Sequence, residues 1–140
     1  MIINEEVQNL LDHCNNYATD LLMETGEFFP FGALTDAAGR THHREVEIDL
    51  KNIPSNGEIL DLLLEYFEDQ YQNHNAKCFA ISFETTIQMD KNTSTDAIAI
   101  DIRHKQEKEI PVFYIPFKVI EGEEYVQFGE MFAVKRNEEN

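Results

Sequence analysis

Residues 27–49 read EFFPFGALTDAAGRTHHREVEID. Two strand-like runs, Glu27–Thr35 and Arg40–Asp49, flank the tetrapeptide Asp36-Ala37-Ala38-Gly39. Asp first and Gly fourth is the pattern of a type I turn, and the Gly can take the positive φ of a following bulge. The stretch therefore predicts an antiparallel hairpin. Pro30 has no N–H to donate to a ladder, so the first strand is an edge strand or begins just after it.

Helices flank this hairpin on both sides. Upstream, Val7, Leu10, Leu11, Cys14, Tyr17, Ala18, Leu21 and Leu22 recur at helical spacing. Asn4 is the expected N-cap and Gly26 the expected stop. Asp12, Asn15, Asn16 and Thr19 lie opposite, so this helix buries one side. Downstream, Ser55 and Glu58 form a capping box, in which each side chain bonds the other residue's backbone N–H. Ile59, Leu60, Leu63, Tyr66, Phe67 and Tyr71 then form a stripe that ends near His74. Leu62 and Leu64 widen it, which predicts cover on more than one side.

The remainder reads as strands. In 77–89, Phe79, Ile81, Phe83, Thr85, Ile87 and Met89 face one way; Cys78, Ala80, Ser82, Glu84, Thr86 and Gln88 face the other. Ile98, Ile100 and Ile102 alternate with Ala99, Asp101 and Arg103. Strands over 112–120 and 125–134 follow. The fold class is α+β: two helices on one face of a five- to six-stranded, mainly antiparallel sheet, in the order α-β-β-α-β-β-β-β. One domain spans 1–140, with a frayed tail over 136–140.

Composition narrows the partners. The 140 residues carry 27 acidic and 11 basic side chains, a net charge of −16. Such a charge disfavours nucleic acid and anionic membranes, and it permits a basic protein partner. The N-terminal residues lack the basic and apolar regions of an export signal, and no apolar run is long enough to span a bilayer. A cytoplasmic location follows as the expectation, with Cys14 and Cys78 as buried reduced thiols.

Catalytic and cofactor signatures are missing from the sequence. There is no nucleophile elbow, phosphate loop or calcium loop. His42 and His43 are strand neighbours and point to opposite faces, and no Cys or His pair has zinc spacing. No catalytic residue, metal site or cofactor is expected. One polar cluster is a candidate: His42 and Arg44 share a face of one strand, Asp101 and Arg103 share a face of another, and Glu84 lies on the strand between them. If those faces coincide, a paired carboxylate and His could do acid–base work. The alternative is cross-strand ion pairs facing solvent.

Two aromatic–proline segments, Phe28-Phe29-Pro30-Phe31-Gly32 and Phe113-Tyr114-Ile115-Pro116-Phe117, load both faces of their strands. Two helices on one face would leave the other uncovered. Phe29, Phe31, Phe113 and Phe117 are therefore the expected interaction surface, with self-association as a homodimer the simplest way to hide it.

The run Glu27-Phe28-Phe29-Pro30-Phe31-Gly32-Ala33 with Asp36 and Gly39, the strand Asp96-Ala97-Ile98 with Arg103-His104, and the ending Phe128-Gly129-Glu130 with Phe132-Ala133 together resemble an uncharacterised family of small bacterial proteins. That resemblance implies a bacterial, cytosolic protein and nothing about catalysis. The element order is also similar to roadblock and longin domains, whose core is an interaction scaffold. This chain departs from them by ending in a strand where a helix is expected. The functional expectation is a non-enzymatic protein-interaction domain, either an adaptor or an acidic immunity-like neutraliser of a basic toxin. The alternative is a small-molecule-binding domain or enzyme using His42, Arg44, Asp101 and Arg103.

Overall fold

The computed structural model describes residues 4–120, 122 and 125–136. In chain order the elements are α1 (Glu5–Thr25), β1 (Phe31–Asp36), β2 (Thr41–Glu45), α2 (Asn56–Gln72), β3 (Ala76–Gln88), β4 (Ser94–His104), β5 (Val112–Ile120), β6 (Tyr125–Phe128) and β7 (Phe132–Val134). They form an α+β fold around one antiparallel sheet in the order β2-β1-β3-β4-β5-β6, with β7 also paired to β5.

The local signals act as the physics requires. The Asn4 side chain accepts from the Glu6 N–H at 2.8 Å, and Gly26 caps α1 in the left-handed conformation. Both bonds of the Ser55–Glu58 capping box are made. Asp36 and Gly39 close the hairpin: the Gly39 N–H donates to the Asp36 carbonyl at 3.0 Å, with Gly39 at φ 88°. β1 starts just after Pro30 and lies inside the sheet, because the missing N–H falls outside the ladder.

Seven strands replace the expected five to six. The single strand read over 125–134 is two, β6 and β7, which pair with the two ends of β5. Three residues, 129–131, oppose two, Ile115 and Pro116, so one residue is extra. The break falls opposite Pro116, whose ring nitrogen has no proton to share. The Gly129 N–H still donates to the Pro116 carbonyl at 2.8 Å.

The helices lie on opposite faces of the sheet, not on one. α1 covers Ala33, Cys78, Ala80, Ile98, Ile100, Ile102, Phe113, Ile115 and Phe117. α2 covers Leu34, Phe79 and Ile81 through Ile59, Leu63 and Phe67. The reason is visible in β3, whose odd and even positions are both apolar along its first half, so each face demands its own helix. α2 then needs only one buried stripe; Leu62 is 51% exposed and Leu64 37%, against the expected wider cover. Of the tail expected to fray, only Arg136 is described. Its guanidinium is held by Asp101 and by the Ile102 and Ile110 carbonyls.

Candidate functional site

The two candidate groups from the sequence come apart. Phe31, Phe113 and Phe117 are buried beneath α1 and form core, not surface. Only Phe29 remains accessible, at 40%. The expected aromatic surface fails because α1 occupies the face that was to stay open.

The polar cluster fails by distance. His42 opposes Leu34, Arg44 opposes Gly32, Asp101 opposes Ile81 and Arg103 opposes Phe79, so all four do share the α2 face. However, β1 and β3 separate β2 from β4, which puts the two pairs three strand spacings, about 14 Å, apart. α2 sits over the strands between them. His42 instead bonds Asp36 at 2.7 Å, and Arg44 lies 4.0 Å over the Tyr66 ring. Glu84 opposes Ile98 and so belongs to the other face. Burial pushes its carboxyl up, with Asp96 and Glu27 adding repulsion.

A constellation that spacing could not show forms between α1 and β2. His13 and His43 meet at 2.8 Å between Nε2 and Nδ1, and His43 Nε2 is 3.1 Å from Glu45 Oε1. The Glu45 carboxylate beside the Tyr17 hydroxyl, with burial, pushes the Tyr17 pKa up to about 12. Burial, with the neighbouring His43, pulls His13 down. Neutral rings satisfy every contact: His13 donates from Nε2, and His43 accepts at Nδ1 and donates from Nε2 to the carboxylate. The chain of bonds ties the edge strand to the helix and leaves no activated nucleophile. Among the described residues no three His, Cys, Asp or Glu side chains gather as a metal site.

The uncovered surface lies elsewhere. α2 packs on β1 and β3, and among the described residues no helix lies on the α2 side of β4, β5 and β7. Register places Ala97 and Ala99, Tyr114 and Pro116, and Phe132 and Val134 on this side. Tyr114 stacks on Phe132 with ring centroids 5.6 Å apart. Phe132 is 36% exposed and Val134 46%. Asp101, Arg103, Lys118 and Arg136 border the strip, three cations to one carboxylate. By contrast, α1 and α2 carry ten acidic and no basic side chains. The open strip is thus apolar and cation-rimmed in a chain of charge −16.

No family model, curated protein or solved structure matches this chain. Function has to be argued from the surface itself. No described helix is long and apolar enough to cross a membrane. The sequence did contain a clue to the strip. Val112, Tyr114 and Pro116 alternate with Phe113, Ile115 and Phe117, so one of the two sets had to face away from α1.

Proposed function

We propose that this chain is a non-enzymatic protein-interaction domain that self-associates through the open strip on the α2 side of β4, β5 and β7. The observation carrying this reading is the stacked pair Tyr114 and Phe132, with Val134, on a sheet surface that no helix covers. A second copy suits the strip because it brings the same apolar pair, Tyr114 and Phe132, to a self-complementary contact, with the cations of the two rims, Arg103, Lys118 and Arg136, opposing it.

Geometry sets the strength. Three strands about 4.8 Å apart and about five residues of about 3.3 Å each give a patch of roughly 240 Å². A standard interface buries about 800 Å² per partner, so the association is weak and reversible. Sedimentation velocity across micromolar to millimolar protein tests it. The wild type shifts toward dimer with concentration, and Phe132→Asp remains monomeric with an unchanged circular dichroism spectrum. A wild type that stays monomeric throughout, or a Phe132→Asp variant that dimerises equally well, refutes the reading.

A further inference from the structure

Four of the 11 basic residues line one concavity. Arg103, Lys105, Lys108 and Arg136 surround a cavity of about 300 Å³ at the end of β4, and Glu107 is the one carboxylate among its described lining residues. In a chain with 27 acids, cations set this close to one another would ordinarily be interleaved with carboxylates. Among the described residues, no carboxylate lies within ion-pair distance of Lys105 or Lys108.

The walls are held rigidly. Arg136 is committed: its Nε donates to the Ile110 carbonyl at 3.2 Å, and its Nη2 donates to Asp101 and to the Ile102 carbonyl. It is a fixed wall whose charge, like that of Arg103, is shared with Asp101. The turn carrying Lys105 is pinned at three points. The Lys105 N–H donates to the Lys77 carbonyl, the Glu107 N–H to the His104 carbonyl, and the Gln106 N–H to His104 Nδ1. His104 is itself buried, and its Nε2 bonds Glu6 at 2.9 Å. The Lys105 ammonium donates to His74 Nδ1 at 2.8 Å and keeps two further protons for a ligand. Asp101 offsets part of the arginine charge and Glu6 of α1 sits behind His104, which leaves Lys105 and Lys108 as the lining cations without a carboxylate partner among the described residues.

We infer that this pocket binds a small organic phosphate monoester. The phosphoryl dianion would lie between Lys105 and Lys108 against the Arg103 and Arg136 walls. The apolar side chains of Ile102 and Ile110, with Tyr71, would contact a short organic group. The volume stands at the small end of ligand cavities, which suits a small ligand. The inference does not rest on the self-association reading: Arg103 and Arg136 border both places, but Lys105 and Lys108 line the pocket and not the strip, and Phe132 and Val134 do not line the pocket.

Two-dimensional NMR titrations of the full chain, at matched ionic strength, test it with phenyl phosphate, inorganic phosphate and chloride. The expected result is a saturable shift confined to residues 102–110 and 71, several times tighter for phenyl phosphate than for inorganic phosphate. Lys105→Gln/Lys108→Gln weakens it about a hundredfold, because each of the two charge-assisted bonds is worth about one decade of affinity. Both lysines are exposed, so the double variant keeps the native spectrum elsewhere. Chloride producing the same shifts, perturbations scattered over the surface, equal affinity for the two phosphates, or undiminished binding by the double variant would each overturn the inference.

Discussion

Gly32 offers the sharpest test of how this sheet holds two helices. It lies on the α2 face of β1, where a Cβ would come within 2.5 Å of the Ala80 carbonyl oxygen and 2.5 Å of Phe67 Cε2. Comfortable carbon–carbon contact is about 3.5–4.0 Å, so the Phe67 ring must retreat by at least about 1 Å. It has little room to do so, because it is fully buried and stacks on Phe79 with centroids 5.5 Å apart. The carbonyl is backbone and can yield only if β1 and β3 separate. Overpacking of this kind costs about 1–3 kcal/mol, and partial expulsion of a buried Phe adds toward about 3–5 kcal/mol. Replacing Gly in a strand returns about 0.5–1 kcal/mol of backbone entropy, too little to change the sign. Gly32→Ala should therefore destabilise the fold by about 2–4 kcal/mol, which for this size lowers Tm by roughly 10 °C. Urea denaturation followed by circular dichroism measures it. In a Phe67→Leu background, which lacks the clashing ring atoms, the same substitution should cost less, and the difference is the coupling between β1 and α2. A Gly32→Ala variant as stable as the wild type, or strictly additive effects in the cycle, would refute the packing argument.

Two further outcomes follow from buried polar groups. Burial pushes the Cys14 thiol up to about 12 and raises Cys78 as well. Native protein at pH 8 should show no rapidly reacting thiol toward a disulfide reagent and two in denaturant; prompt native labelling of either would contradict their placement. The hydrogen bond from His104, with help from Lys77, holds the Glu6 carboxyl below its ordinary value of 4.5. A depressed carboxylate stabilises the fold above its unfolded pKa and loses that contribution as pH falls through the folded one. Glu6→Gln should thus be less stable than wild type at pH 7, with the gap narrowing below about pH 4.5; a gap that stays constant from pH 7 to pH 3 would show that the ion pair is not its source.

What could be read from the sequence was local. The Asp36–Gly39 turn, the Asn4 and Gly26 caps, the Ser55–Glu58 box and the boundaries of β5 follow from residue types at fixed short spacings. What could not be read was long-range. Nothing near Phe31 or Phe113 states which helix will cover them, because both faces of β1, β3 and β5 are apolar. One assumption, that both helices share a face, moved these aromatics from core to surface. His13 and His43 are 30 residues apart, and only the crossing of α1 over the edge of the sheet brings them to 2.8 Å. His42, its neighbour, points away, so adjacency in sequence was the wrong guide to which histidine matters.

The open strip has one cause. α2 returns the chain from β2 at the sheet edge to β3, passing over β1 on the way, so it covers that half of its face and no more. β4, β5 and β7 must complete the other half with their own side chains. Tyr114 and Phe132 shield Ala97 and Ala99 from water, which is why these alanines are fully buried with no helix above them. Small residues on the central strand and large ones on its neighbours make the layer self-covering but leave the large ones wet. Ten of the 27 acids lie on the helices, where they keep the chain soluble. A strip-to-strip contact brings the cations of the two rims together. Lys118→Glu, which replaces a repelling charge at the rim while leaving every buried contact intact, should therefore strengthen self-association, whereas Phe132→Asp abolishes it. If Lys118→Glu weakens it as much as Phe132→Asp does, the copies do not meet strip to strip and the reading fails.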